Sequence, residues 1–506
     1  MAKVKHPKFH NPIEKQFNEI SRYHYFLFLL IFSSKITIFW HVLNLIFLSP
    51  PIDYFCIGNS SKNLCPCDEP SWDRSVFQET MQTKFGIYCE NSWWISFSHS
   101  MNFVGLLIGA FVFGFLSDNS YFRFGRLSMF SICCLILAVS GCLVSAMPTI
   151  TAFTFMRCLE GVGCGGAIIT AFVLCIEYCN LRHREVITAL FHIPSNISHI
   201  TIPGISYLFR HCDEFQLALS IPVFLYLSSW WLVMESPKWL MDNDKVDTAV
   251  SVMERFGKIN GRPCENIREQ IEQYLSHRSD KAKKQIKFWQ IFKHKQLSIN
   301  LGCMSVIYFL CGMGYYGVSQ YIGKMSGDIF INVSISGILL LPGTISSIFL
   351  LSWLNRRTFL MLTIFFSGFF MILVVCVPIK LIILRVILAC ICNCFFFMSF
   401  IIVFLYGVEL FPTSVRNSVL GFLSVISRVG QITSPLINSL SEDVSGLIFG
   451  VIALLGTVLC YFLPETKNTE LPSSLDDTKM LTRRKTRLEE DNSNISIRNV
   501  PLSLIE

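Results

Sequence analysis

Apolar stretches long enough to cross a lipid bilayer recur along the whole chain, and they constrain its fold more than any other feature. A helix needs about 20 such residues to span the hydrocarbon core. About twelve stretches qualify, near residues 24–48, 94–116, 127–147, 152–177, 186–208, 215–234, 298–318, 329–354, 358–378, 380–406, 418–440 and 444–463. A mean hydropathy of +0.50 excludes a soluble globule. Because a helix satisfies its own backbone polar groups in lipid, an all-α integral membrane fold is predicted.

The distribution of charge predicts the orientation of these helices. The connection 235–297 holds thirteen Lys and Arg against nine Asp and Glu, whereas the connection 49–93 holds three basic and six acidic residues. Basic loops stay in the cytoplasm, which places 235–297 and both termini there. The net charge of +7 therefore reflects topology, and no nucleic-acid partner is predicted.

The two ends of the chain are polar. Residues 1–23 lack the short apolar core of a cleaved signal peptide and are interpreted as a cytoplasmic N-terminus. Residues 466–506 contain the basic run TRRKTR followed by EED, and they are predicted to form a disordered cytoplasmic tail.

Four cysteines crowd the connection that topology places outside the cell: Cys56, Cys65, Cys67 and Cys89. In an oxidising compartment they predict two disulfides, with three pairings possible. Metal binding is the weaker reading, because no histidine lies in the connection. Asn59 in NSS is a predicted glycosylation site on the same loop.

Charged motifs recur at nearly one offset, which indicates an internal duplication. The recurring residues are Arg126 with Arg356 and its neighbour Arg357, Glu177 with Glu409, Arg184 with Arg416, and Glu235 with Glu465. The offset between Arg126 and Arg356 is 230, and the offset between Glu177 and Glu409 is 232. Two six-helix halves are therefore predicted, 24–234 and 298–465, joined by a cytoplasmic linker, 235–297.

Duplicated halves of this kind enclose a central cavity near the bilayer midplane and rock around it. The charged motifs all fall at predicted cytoplasmic helix ends, where Glu–Arg pairs can lock one state of the carrier. The alternative is that they are ordinary flanking charges, which the repeat makes less attractive.

Several motifs resemble one family of carriers. ESPKWL, GVELFPTSVRN and LPETKNTELPSSLDD, which follow the sixth, tenth and twelfth stretches, are similar to solute carrier family 22 of the major facilitator superfamily. FQETMQTKFGIYCENSWW is similar to the segment that closes that family's first extracellular loop. The resemblance covers about residues 20 to 478. It implies a twelve-helix facilitator that moves small organic ions across the plasma membrane. The sequence contains no His-x-x-Glu-His, no Gly-x-Ser-x-Gly and no phosphate-cradling glycine loop, so neither an enzyme nor a cofactor or metal is predicted.

The chain also departs from the family pattern. GFLSDNSYFRFGRLS puts about four extra residues between Asp118 and the group Arg123–Arg126, which leaves the gating contacts uncertain. HCDEFQ has Asp213 in place of an aromatic-rich turn, and Thr344 stands where anion carriers often have a lysine. A transport-inactive ligand sensor of the same fold therefore remains an alternative.

Arg428, in the apolar run GFLSVISRVGQITSPL, carries the prediction of charge preference. An arginine in mid-membrane costs at least about 2.5 kcal/mol and needs a partner or water. Its planar donors suit a carboxylate or sulfate. Family members with Arg at the equivalent position tend to handle anions or zwitterions, which makes an organic cation transporter the less favoured reading. A permanent structural ion pair is the other alternative.

Further residues are assigned to substrate binding. Rings bury flat organic ligands, and the resemblance implies that four aromatic residues line the cavity: Tyr207, Tyr315, Tyr316 and Phe400. Lys35 is a second positive charge predicted to face the cavity. His41 aligns with a histidine common in the family, and a packing or hydrogen-bonding role for it stands beside a titrating one. Arg157 and Glu160 share a helix face, so mutual neutralisation or proton coupling through Glu160 are both open.

Overall fold

Long apolar helices dominate the structure, as the sequence predicts. The computed structural model describes residue 13 and residues 16–56, 62–63, 65–67, 69–118, 125–262, 266–279, 288–412 and 415–467. Within these residues, eleven helical segments are long and apolar enough to cross a membrane.

The α-helices, in chain order, are α1 (Arg22–Leu43), α2 (Leu45–Leu48), α3 (Met81–Phe85), α4 (Trp93–Asp118), α5 (Arg126–Ala146), α6 (Ile150–Glu177), α7 (Leu181–Leu190), α8 (Ile193–Leu208), α9 (Cys212–Ser220), α10 (Ser229–Leu232), α11 (Pro237–Asp242), α12 (Val246–Asn260), α13 (Ile267–Ser279), α14 (Lys295–Lys324), α15 (Ile329–Trp353), α16 (Arg356–Cys376), α17 (Ile382–Leu410), α18 (Arg416–Ile437) and α19 (Glu442–Tyr461). Three 3₁₀ turns cover Cys89–Ser92, Ile221–Ser228 and Phe288–Lys293. The two short strands are β1 (Tyr54–Cys56) and β2 (Pro70–Trp72).

The fifth predicted span, 186–208, is not one continuous helix. It is divided into α7 and α8 by a turn at Phe191 and His192. Pro194 has no backbone N–H, so it cannot continue the hydrogen-bond ladder of α7. The backbone N–H of Ser195 bonds instead to the carbonyl of His192, three residues back. The break leaves the Phe191 carbonyl available to a side chain.

The chain forms two compact units. Unit 1 comprises residues 1–283 with 319–341 and 435–440, and unit 2 comprises 284–318, 342–434 and 441–506. The halves predicted from the repeat, 24–234 and 298–465, remain a prediction.

Close helix contacts organise the core of unit 1, where α6 packs against α4 and α5. Gly105 on α4 shows why a small residue is needed there. A methyl group at this position would lie 1.9 Å from the carbonyl oxygen of Cys158 on α6. Small residues at such contacts let helix backbones approach closely inside a membrane. In unit 2, α16 similarly packs against α17 and α19.

Two disulfides hold the connection between α2 and α4. Cys56 is bonded to Cys67, and Cys65 is bonded to Cys89. The prediction of two disulfides is thus confirmed in the structure, which also selects one of the three pairings. The strands β1 and β2 pair in antiparallel fashion beside these bonds.

Side-chain contacts also hold the connection between α2 and α4 together. Tyr54 lies opposite Trp72 in the strand pair, with 5.3 Å between the ring centroids. Lys62 and Asn63 donate hydrogen bonds to the Asp53 carboxylate at 2.7 and 2.9 Å. The hydrogen bond from Lys62, which has the larger effect, and the one from Asn63 lower the pKa of Asp53 below its ordinary value.

The pairing generates a direct prediction. Cys65→Ser should release Cys89 as a free thiol, whereas Cys56→Ser should release Cys67, because each substitution removes one partner of one bond. Labelling intact cells with a membrane-impermeant maleimide and mapping the labelled peptide identifies the released cysteine. Label on Cys67 in the Cys65→Ser protein would contradict the pairing.

Candidate transport site

A cluster of charges joins three helix ends in unit 1. Arg126, at the start of α5, donates from its guanidinium to Glu177 at the end of α6, at 3.1 Å. Glu235 accepts the backbone N–H of Leu127 with both carboxylate oxygens 3.2 Å away. A carboxylate at a helix N-terminus satisfies backbone donors that have no partner within the helix. We call Arg126, Glu177 and Glu235 the Glu177 clasp.

Unit 2 contains the same arrangement. Arg356, at the start of α16, donates to Glu409 at the end of α17, at 3.2 Å. Glu465 accepts the backbone N–H groups of Arg356 and Arg357 at 2.8 and 3.1 Å. We call Arg356, Glu409 and Glu465 the Glu409 clasp. The residues that the repeat singled out thus make equivalent contacts in the two units.

The remaining motif residues are less completely described. Arg416 begins α18 and donates through Nε to the Phe411 carbonyl at 3.2 Å. The side chains of Asp118 and Arg184 lie outside the described part of the structure, as do the whole of Arg123 and the acceptor Asn59. A gating role for the clasps stays a prediction.

Arg428 lies near the middle of α18 and is half-buried. Two close contacts join this part of α18 to α14. A methyl group at Gly312 would lie 2.2 Å from the Ser427 carbonyl oxygen, and one at Gly430 would lie 2.2 Å from the Phe309 carbonyl oxygen. The segment of α18 that carries Arg428 is therefore held directly against α14.

Aromatic rings gather one turn further along α14. The Tyr315 and Tyr316 ring centroids are 4.9 Å apart, and Tyr315 also meets Phe397 of α17 at 5.0 Å and Phe400 at 6.2 Å. Unit 2 thus brings three of the predicted aromatic residues together. They lie on α14, which packs against the Arg428 segment, and on α17. Their contact with a substrate stays a prediction.

Tyr207 belongs to unit 1 and lies near the end of α8. Its side chain is 56% exposed, and its ring meets Phe330 edge-on at 5.5 Å. The Arg210 guanidinium lies 4.7 Å from the same ring. Its predicted place in the cavity lining is untested.

Lys35 is buried inside unit 1, next to the break between α7 and α8. The ammonium group donates to the Phe191 carbonyl and lies 3.6 Å from the centroid of the Phe191 ring. The carbonyl set free at the end of α7 and the ring face together accommodate the positive charge. A role of Lys35 in substrate binding stays a prediction.

One ion pair in unit 1 was not predicted from the sequence. Lys84 of α3 donates to both carboxylate oxygens of Asp213 on α9, at 2.6 and 2.8 Å, and also to the Ser145 carbonyl. Where the family pattern has an aromatic-rich turn, this chain has a lysine–aspartate contact between α3 and α9. Asp213 also lies within 4.8 Å of Glu79 and Cys212, a possible set of metal ligands. Lys84 already engages the Asp213 carboxylate, which weakens that set as a metal site.

Comparison with known proteins defines the class. The family described as "Sugar (and other) transporter" matches residues 55–473. The inward-open structure of the xylose transporter XylE from E. coli is 16% identical, with a TM-score of 0.66, and the match covers 89% of this chain and 98% of that one. This likeness shows the fold, which is that of a multi-pass membrane transporter of the major facilitator superfamily.

Curated relatives narrow the assignment. "Organic anion transporter 3" of Oryctolagus cuniculus is 30% identical over 84% of this chain and 79% of the relative. "Solute carrier family 22 member 3" of Rattus norvegicus is 27% identical over 84% of this chain and 76% of the relative. The chain belongs to the sugar (and other) transporter family and, within it, to solute carrier family 22. It is a transporter of small organic ions, not an enzyme.

The clasps yield a stability prediction. Glu409→Gln should lower the apparent Tm of the detergent-solubilised protein, because the partly buried Arg356 loses a charged partner worth about 2 kcal/mol. Glu177→Gln should act similarly through Arg126. Glu272→Gln is the matched control, since Glu272 forms an exposed pair with Arg268 and its loss should leave the Tm unchanged. Equal Tm values for wild type and Glu409→Gln would show that the clasp does not stabilise unit 2.

Proposed function

We propose that this chain carries small organic anions or zwitterions in preference to cations, and that it does so by alternating access. Transport of small organic ions follows from the family. The preference for a negative group is supported by one observation above all, the half-buried Arg428 on α18. The name of one relative, an organic anion transporter, points the same way.

The chemistry of Arg428 supports a negative ligand group. The helix that carries it, Arg416–Ile437, contains no aspartate or glutamate that could act as a counter-charge along the helix itself. A guanidinium presents its donors in a planar fork that matches carboxylate, sulfonate or sulfate oxygens two at a time. A negative group on the ligand would complement this fork of donors.

The aromatic cluster supports an organic body on that ligand. Tyr315, Tyr316 and Phe400 lie on α14 and α17, and α14 is the helix against which the Arg428 segment packs. Aromatic faces bury flat apolar groups at little conformational cost. A charged head at Arg428 with a ring among these side chains describes an amphipathic aromatic anion.

The cellular setting belongs to the same proposal. The charge distribution supports cytoplasmic termini and an extracellular disulfide module, glycosylated at Asn59, in the plasma membrane. Two charged clasps at equivalent helix ends are the elements that would open and close in alternating access. Either facilitated diffusion or exchange against a counter-ion is compatible with this arrangement.

The decisive experiment compares charge selectivity. Cells expressing the wild type should take up labelled benzenesulfonate faster than labelled tetraethylammonium, relative to untransfected cells. Arg428→Gln should lower the sulfonate-to-ammonium ratio about tenfold or more, because a charged, two-pronged hydrogen bond is lost. Arg428→Lys should retain part of it, since the charge stays and the fork is lost.

Arg385→Gln is the matched control for removal of a helix-borne arginine. Arg385 on α17 is already paired with Glu442 and Asp443, each at 3.1 Å. Its loss should reduce the amount of protein at the cell surface without altering the selectivity ratio. Preferred ammonium uptake by the wild type would instead indicate a cation transporter. Binding of benzenesulfonate that never exceeds the number of protein copies would favour the ligand sensor.

A further inference from the structure

Glu160 lies on α6 in unit 1, and four side chains converge on its carboxylate. His41 Nδ1 lies 2.5 Å from Oε1, and Arg157 Nη1 lies 2.8 Å from Oε2. Gln216 Nε2 donates to Oε1 at 3.0 Å, and Asn44 Nδ2 lies 3.5 Å from the same atom. All five side chains are buried from solvent. We call these five residues the Glu160 network.

The bonds of His41 fix its protonation. Its Nε2 lies 3.2 Å from the carbonyl oxygen of Leu219, which can only accept, so Nε2 carries a proton. The Glu160 carboxylate already accepts from Arg157 and Gln216, as an ionised carboxylate does. Two lone pairs facing each other at 2.5 Å would repel, so one proton lies between Nδ1 and Oε1. With Glu160 ionised, both ring nitrogens are protonated and the ring is an imidazolium.

The network therefore holds one proton beyond a charge-neutral set. Arg157 and Glu160 cancel each other, and the His41 imidazolium adds a single positive charge on helices that cross the membrane. Ionisable groups at such positions are costly and typically belong to ion pathways and proton relays. Loss of the His41 proton would leave the Arg157–Glu160 pair intact and neutral.

A surface pocket of unit 1 is lined by residues next to the network. Its lining includes Leu45, which follows Asn44, together with Ser49, His99 and Lys324. Ser49 Oγ lies 2.6 Å from His99 Nε2, and His99 is within electrostatic range of both Arg157 and Lys324. Arg157 Nε and Nη2 and the Asn102 amide make no hydrogen bond to described residues. Buried polar groups of this kind typically bind ordered water in proteins.

The groups that face the His41–Glu160 pair come from several packed elements. Arg157 approaches from α6, Gln216 and the Leu219 carbonyl from α9, and Cys142 from α5 within electrostatic range of Glu160. His99 of α4 and Lys324 of α14 lie further away, at the pocket. Among the described residues, Glu160 is the one carboxylate within ion-pair distance of His41.

We propose that the His41–Glu160 pair is a proton-binding site and that the chain carries a proton together with each organic anion. The anion half of this statement rests on the proposed function. The step is a proton transfer alone: the N–H bond at His41 Nδ1 forms with a proton from one side and breaks by release to the other. One proton with one monovalent anion moves no net charge.

The test uses purified protein in liposomes with labelled benzenesulfonate, which stays ionised and so cannot cross the lipid as a neutral acid. An inward proton gradient of about 100-fold, roughly two pH units, should accelerate uptake several-fold over equal pH on both sides. His41→Gln keeps a donor for Glu160 and should lose this acceleration. His199→Gln is the matched control, because His199 is equally buried but makes no hydrogen bond to described residues.

Each result decides the proposal. The control should keep the ratio of uptake with and without the gradient, and this ratio is independent of protein amount. Proton coupling would be overturned if the gradient did not accelerate uptake by the wild type, or if it still accelerated uptake by His41→Gln.

A second measurement separates this proposal from the transport of anions. Nitrogen-15 spectra of the histidine-labelled protein at neutral pH should contain one imidazolium signal that His41→Gln removes. If no benzenesulfonate enters at any pH, the anion proposal fails, yet this signal still reports on the proton site. A neutral His41 ring in the spectrum would overturn the site itself.

Discussion

A charged side chain in a membrane-spanning helix is stable only beside a partner, and this requirement decides where the polar residues of this chain lie. Glu177 and Glu409 each form an ion pair with an arginine at a helix end. Glu160 contacts an arginine and a histidine within the helices. Lys35 donates a hydrogen bond to a backbone carbonyl rather than to an acid. Apolar packing brings the helices together, and these partnerships add specific polar contacts between them.

The sequence predicts the architecture well because length and hydropathy are local properties. Stretches of about 20 apolar residues are visible without knowledge of any contact. The charged repeat is equally visible, since Arg126 and Arg356 stand 230 residues apart. The fold followed from these features, and the family followed from the resemblance of motifs such as ESPKWL and GVELFPTSVRN; both were confirmed. The break at Phe191 was missed, although Pro194 stood in the sequence, because the apolar count continues smoothly across it.

Contacts between distant segments were harder to predict. The number of disulfides followed from four cysteines in one loop, but the pairing required the path of the chain. Lys84 and Asp213 are separated by 129 residues, and nothing local to either indicates the other. The carbonyl partner of Lys35 was not predicted, because helical position alone cannot show which way a long side chain turns. The aromatic residues Tyr315 and Phe400 were chosen by resemblance, and only packing places them together.

The equivalence of the two clasps carries an evolutionary consequence. Arg126 pairs with Glu177 in unit 1, and Glu235 accepts the neighbouring Leu127 N–H. Arg356, Glu409 and Glu465 repeat these contacts in unit 2, so each clasp is complete within its own unit. If the predicted duplication took place, an arrangement shared by both halves was already present in the ancestral half. Such an ancestor would be a half-length protein that fastened its own helix ends, and duplication would join two self-sufficient pieces rather than complete an unfinished one.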